Sequence, residues 1–122
     1  MKTKVSILML TYNAPRYVKR SIKSLRKTKN VDYELIVVDN NSKVTTKKTL
    51  WRLYKKKYID KLYFNNENSL FSGGNNLAAK LTSESAYICL LNSDIEIKSP
   101  FWLENLINIC SDCNVGGLHM VQ

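Results

Sequence analysis

The chain has 122 residues, 44% hydrophobic and 24% charged, which supports one folded core, leaves little room for a second lobe, and excludes a disordered or fibrous molecule. No apolar run is long enough to cross a bilayer, and the segment after Met1 to Lys4 is too short for an export signal, so a cytoplasmic chain is expected. The net charge of +9 is concentrated in residues 16–29 and 43–61 and selects anionic partners, whether phosphates, acidic lipid or nucleic acid, although a solvated lysine-rich helix face is the plainer account.

The apolar run at 5–10 is nearly continuous, as expected of a parallel strand covered on both faces. It ends in Thr11, Tyr12 and Asn13, a hydroxyl, a ring and an amide able to stack on a base and bond its edge. After Pro15, the residues Val18, Ile22 and Leu25 fall on one helix face. A second apolar run at 35–38 ends in Asp39, Asn40, Asn41 and Ser42. A turn accounts for the last three, whereas a carboxylate directly after four apolar residues suits an acceptor for a base N–H or a ribose hydroxyl. The lysine-rich segment that follows predicts a helix with Leu50, Leu53 and Tyr54 on one face, and 61–64 predicts a strand.

A polar loop at 65–76 then carries Asn68, Gly73, Gly74 and Asn75 and opens a short helix with Leu77 and Leu81. The free N–H groups and positive dipole end of a helix start suit a pyrophosphate; a glycine-rich turn is the plainer reading. The run at 86–91 ends in Asn92, Ser93 and Asp94. Residues two apart in an extended chain point the same way, so Asn92 and Asp94 are expected to face one site. A hard divalent cation on a nucleotide takes one or two oxygens from protein and the rest from phosphate and water, which makes Asp94 the candidate metal ligand. A fourth helix has Ser99 as N-cap, Pro100 in its first turn, and Leu103, Leu106, Ile107 and Cys110 at helical spacing. A last strand is expected within 115–121. The alternation predicts an α/β fold with a mostly parallel sheet and ligands at the carboxyl ends of its strands.

In this order, Thr11-Tyr12-Asn13, Val37-Val38-Asp39-Asn40-Asn41-Ser42, Asn68 through Phe71 to Gly74-Asn75-Asn76, and Leu91-Asn92-Ser93-Asp94 resemble the motif set of glycosyltransferase family 2. The resemblance covers residues 5–121 and looks closest to the branch that includes rhamnosyltransferase-like enzymes. It implies a Rossmann-like GT-A fold, three-layer α/β/α, with a mostly parallel sheet that stops after about five strands. Residues 1–122 would then be a single nucleotide-diphospho-sugar-binding domain, the N-terminal half of a larger fold. It further implies a UDP- or dTDP-sugar with its base near Thr11, Tyr12 and Asp39. Asn13, Asn68, Asn75, Asn92 and Ser93 belong to the same site, with the diphosphate near Gly73 and Gly74 and Mg²⁺ or Mn²⁺ at Asp94. Asn92 stands where the family's Asp-x-Asp pattern has its first carboxylate, so metal binding is expected to depend on nucleotide.

The implied reaction is inverting sugar transfer to a glycan or lipid-linked acceptor in cell-wall or polysaccharide biosynthesis. The family's general base comes from a later segment, so no catalytic residue is assigned; Asp112 reads as a solvated helix end. The chain is expected to bind donor but to need an oligomer or partner for the missing half, and to associate with the inner membrane face through its basic helices, with no specific nucleic acid.

Three other readings compete. A dinucleotide-binding domain would open on Gly-x-Gly-x-x-Gly, and this first turn is Thr-Tyr-Asn-Ala-Pro. A non-catalytic module for anionic membrane or nucleic acid would use Trp51, Tyr54 and Tyr58, interleaved with Lys47, Lys48, Arg52 and Lys55 to Lys57. A zinc or redox site at Cys110-Ser111-Asp112-Cys113 would need His119 and Cys89 as further ligands, and a redox pair normally precedes a helix. The odd cysteine count and absent export signal favour thiols over disulfides.

Overall fold

A computed structural model describes residues 5–65, 87–113 and 117–119. Its elements in chain order are β1 (Val5–Thr11), α1 (Pro15–Leu25), β2 (Tyr33–Asn40), α2 (Val44–Lys55), β3 (Lys61–Asn65), β4 (Tyr87–Asn92), α3 (Trp102–Cys113) and β5 (Gly117–His119). The strands form one sheet in the order β3-β2-β1-β4-β5, every neighbouring pair parallel. The expected short helix with Leu77 and Leu81, and the loop residues Asn68, Gly73, Gly74 and Asn75, lie outside the described residues.

Strand alternation sorts the side chains to two faces. Val5, Ile7 and Met9 of β1, Leu35 and Val37 of β2, and Cys89 and Leu91 of β4 join Val18, Ile22 and Leu25 of α1, Leu50 and Leu53 of α2, and Leu103 and Ile107 of α3 in one buried cluster. The alternate residues Leu8, Ile36 and Val38 are buried on the opposite face. Burial on both faces is what the near-continuous apolar runs require, and each fully buried aliphatic side chain contributes about 1.5–3 kcal/mol.

The strands run past their apolar cores because polar partners meet across them. Ser6 Oγ donates to Glu34 Oε2 at 2.7 Å, and Lys61 Nζ lies 3.2 Å from Glu34 Oε1, so a carboxylate that is 6% exposed is paired within β2. Asp60, after α2, accepts the Leu35 N–H at 2.7 Å and the Arg26 guanidinium at 3.1 Å. Burial pulls the Arg26 pKa down, but its contacts with Tyr33 and Asp60 outweigh that and raise it, so it stays charged while it ties the end of α1 to β2 and to the loop between α2 and β3.

Two sequence expectations shift at this level. Ser99 Oγ accepts the Phe101 N–H at 3.2 Å, but α3 starts only at Trp102, so this bond closes a turn ahead of the helix and is not its N-cap; Pro100 lies in that turn, and its carbonyl accepts the Lys29 N–H at 2.8 Å. Tyr54 leaves the Leu50 and Leu53 face, being 39% exposed and stacked on Trp51 with ring centroids 5.7 Å apart. One residue beyond Leu53 is a large rotation about the helix axis.

Candidate donor site at the strand ends

The parallel registers align the carboxyl ends of the strands. Thr11 pairs with Asp39, Asn40 with Asn65, and Leu10 with Asn92, so Asn65, Asn40, Thr11 and Asn92 stand along one rim. β2 and β3 extend from β1 to one side, while β4 and β5 lie on its other side. The chain's direction of winding therefore reverses between β1 and β4, and open α/β sheets bind ligands in the crevice at that switch point. Tyr12 and Asn13 leave the sheet at the end of β1, and Asn92, Ser93 and Asp94 at the end of β4, so the two groups are the candidate lips on either side of that point.

Asp39 is fully buried and holds the first lip together. Its Oδ1 accepts the hydroxyls of Thr11 at 2.8 Å and Ser42 at 2.5 Å, and its Oδ2 accepts the Ser42 N–H at 2.9 Å. A carboxylate offers about four acceptor positions, so one remains on Oδ2. The Ser42 hydroxyl in turn accepts the Asn13 N–H at 2.7 Å, and Asn13 Oδ1 accepts the Lys43 N–H at 2.9 Å. The loops after β1 and β2 are thus stitched into one unit. Ser42 belongs to this unit and was not among the candidate site residues, because its turn-forming composition gave it a sufficient local explanation. Asn65 Nδ2 donates to Asn40 Oδ1 at 3.2 Å, extending the polar row toward β3.

The stitching constrains the backbone. Asn13 and Ala14 both have left-handed φ, 53° and 56°, and α1 starts without a side-chain cap. Left-handed geometry at a residue with a Cβ costs about 1–2 kcal/mol, and strain of this kind concentrates at functional sites. It leaves Tyr12 outside the sheet and 54% exposed, its ring available.

On the other lip, β4 ends at Asn92 and Ser93–Asp94 form a turn. The relative placement of Asn92 and Asp94 is therefore set by the turn and not by the alternation of an extended chain, which corrects the reasoning that paired them. Asn92 and Ser93 are half-buried and Asp94 is exposed. Among the described residues Asp94 has neither an ion pair nor a hydrogen bond. It borders a depression of about 250 Å³ with Glu96 and with Tyr17, Arg20 and Ser21 of α1. Tyr17, Arg20 and Ser21 are three and four residues apart, a helical flank to which the strand-end motifs of the sequence do not point. Among the described residues there is no group of three or more His, Cys, Asp or Glu placed to hold a metal. An exposed, unengaged carboxylate fits a cation that draws its other oxygens from phosphate and water.

Comparison with known proteins gives a consistent result. The model of glycosyl transferase family 2 matches residues 6–117. No curated protein matches the chain by sequence. Among solved structures, the mannosyltransferase PcManGT from Pyrobaculum calidifontis, in complex with GDP-Man and Mn2+, aligns with a TM-score of 0.84 at 17% identity, over 94% of this chain and 34% of that one. TarS 1-349 from S. aureus aligns with a TM-score of 0.74 at 22% identity, over 89% and 32%. Its complex with UDP-GlcNAc gives 0.72 at 23%, over 89% and 31%. The chain spans about a third of the length of these structures, and at such identities the likeness is one of fold.

Proposed function

The chain belongs to glycosyl transferase family 2, and from that premise we propose that it is the donor-binding part of a glycosyltransferase, taking a nucleoside diphosphate sugar at the β1–β4 switch point. The observation that carries this reading is the stitched Thr11–Asn13 and Asp39–Ser42 unit at the ends of β1 and β2, with an exposed Asp94 that has no partner among the described residues just past the end of β4. The sheet is Rossmann-like, as in GT-A enzymes, and the similar folds include one solved with GDP-Man and Mn2+ and one with UDP-GlcNAc.

In this proposal Tyr12 stacks on the base, which lies near Thr11 and Asp39, and the buried Asp39 fixes that pocket by holding Thr11 and Ser42 in place. Asn13 holds the loop that carries them. Asn68, Gly73, Gly74 and Asn75 supply the diphosphate loop, with Asn92 and Ser93 bordering the sugar. Asp94 would hold Mg²⁺ or Mn²⁺, which when bound offsets charge on the departing diphosphate. An acceptor hydroxyl of a glycan or lipid-linked saccharide attacks the anomeric carbon as the nucleoside diphosphate leaves from the opposite side, inverting that centre. The hydroxyl proton passes to a general base that none of the described residues is assigned to provide. Donor specificity for UDP- or dTDP-sugars, a rhamnosyl or other hexosyl group, and work at the cytoplasmic face belong to the same proposal.

Calorimetric titration with UDP, dTDP, GDP and their sugars, with and without Mn2+, tests it. A bound nucleotide a hundredfold above its dissociation constant should stabilise the fold by about 2.7 kcal/mol. Asp94→Ala should remove the Mn2+-dependent part of the affinity while changing stability by less than about 0.5 kcal/mol, since the residue is exposed. No response to any of the three nucleotides, with or without metal, overturns the reading.

A further inference from the structure

Fourteen of the nineteen lysines and arginines lie in two segments, seven in 16–29 and seven in 43–57, and neither segment contains an acidic residue. The fold brings these segments side by side, since α1 and α2 cover the same face of the sheet. Both helices turn their apolar stripes inward: Val18, Ile22 and Leu25 on α1, and Leu50 and Leu53 on α2. The opposite stripes therefore look away from the protein. On α1 that stripe is Arg16, Arg20 and Lys23, at i, i+4 and i+7; on α2 it is Lys48, Trp51 and Lys55, at i, i+3 and i+7, all exposed.

Between the helices lies a groove of about 70 Å³ lined by Lys19, Lys23, Arg52 and Lys56 together with Thr49 and Leu53. Among the described residues none of these four cations meets a carboxylate; Lys23 instead lies 5.8 Å from the Tyr58 ring centroid. Four like charges around a cleft with room for roughly two waters call for an anion of about the size of one phosphate group. Arg26 and Lys61, by contrast, have found acidic partners within the fold. The groove has been left positive.

We propose that the α1–α2 face docks on an anionic lipid bilayer, with a lipid phosphate in the groove and Trp51 entering the interface. Two observations favour a bilayer over a nucleic acid. The cations are mainly lysines, point charges suited to a diffuse anionic surface and not to bidentate reading of a base edge. Trp51 stands 50% exposed in the middle of the outward stripe, with Lys55 Nζ 6.0 Å from its ring, an aromatic among lysines as interfacial helices present. No helix among the described residues is long and apolar enough to cross a membrane. The sheet's rim stands beside this face, not beneath it, because α1 and α2 run along the sheet and begin at the rim. A chain docked through the helices keeps its strand-end crevice open at the membrane surface. The proposal goes beyond the nucleotide-sugar reading and does not depend on it.

Co-sedimentation with vesicles of phosphatidylcholine and phosphatidylglycerol in equal parts, against phosphatidylcholine alone, tests it on the 122-residue chain. Binding is expected to the anionic vesicles only and to weaken with salt. At roughly fivefold per basic residue near an anionic surface, the combined substitution Lys19→Gln, Lys23→Gln, Arg52→Gln and Lys56→Gln should weaken it by about a hundredfold or more. Trp51 emission should shift to the blue with anionic vesicles, and Trp51→Phe should remove that shift. Circular dichroism checks that the variants fold, and a UDP titration without lipid reads the nucleotide site separately. Equal binding to both vesicle types, no Trp51 response, or tighter binding to duplex DNA than to anionic vesicles at equal salt each overturns the proposal.

Discussion

Asp39 near the end of β2 and Asp94 just past the end of β4 have opposite physics. Asp39 is buried with three hydrogen bonds from Thr11 and Ser42, so removing it strands two hydroxyls and a backbone N–H away from water. Asp39→Ala should lower unfolding free energy by about 3 kcal/mol or more in urea titration, because orphaned buried polar groups cost about 1–3 kcal/mol each. Nucleotide affinity should fall with it, because Tyr12 and Asn13 lose their anchor. In the sequence both residues looked alike, a carboxylate at a strand end. The clamp was not legible there because it depends on which residue of β1 faces Asp39, and register is a property of paired strands. The role of Ser42 is hidden in the same way behind its turn-forming composition, since its partner Asn13 is twenty-nine residues away.

Helices show how far periodicity carries. Leu50 and Leu53 sit where helical spacing puts them, whereas Tyr54, one residue on, rotates out to stack on Trp51. Leu50→Ala should therefore destabilise the chain by about 2–5 kcal/mol, and Tyr54→Ala by less than about 1 kcal/mol, both measurable as shifts in denaturation midpoint. α3 starts two residues later than Ser99 and Pro100 suggest, because a serine followed by a proline suits a turn as well as a helix start. What moved the boundary is tertiary: the Lys29 N–H takes the Pro100 carbonyl, Ser24 Oγ accepts the Ile97 N–H at 2.8 Å, and the Trp102 indole N–H reaches Thr28 Oγ1 at 2.8 Å. These contacts bind the segment after β4 to α1, and no local pattern announces them. The strands were legible as apolar runs, but their polar ends were not. Glu34 becomes part of β2 only because Ser6 and Lys61 meet it.

At the scale of the molecule, the alternation of strands and helices and the charge segregation were both visible in the sequence, while the strand order that creates the β1–β4 crevice was not. Order follows from where the chain crosses the sheet, and nothing local to β4 says that it returns to the far side of β1. The crowding of cations on α1 and α2 has a thermodynamic signature of its own. Like charges held within a few ångströms repel, and salt shortens their reach from about 30 Å at 0.01 M to about 8 Å at 0.15 M. The melting temperature should therefore rise as sodium chloride is added across that range, and a flat or falling profile would show the repulsion to be already relieved. The same segregation limits how copies of the chain can assemble. A two-fold contact lays one patch on its own duplicate, so pairing through α1 and α2 would press positive on positive; a two-fold dimer must join through other flanks and leave both cationic faces uncovered.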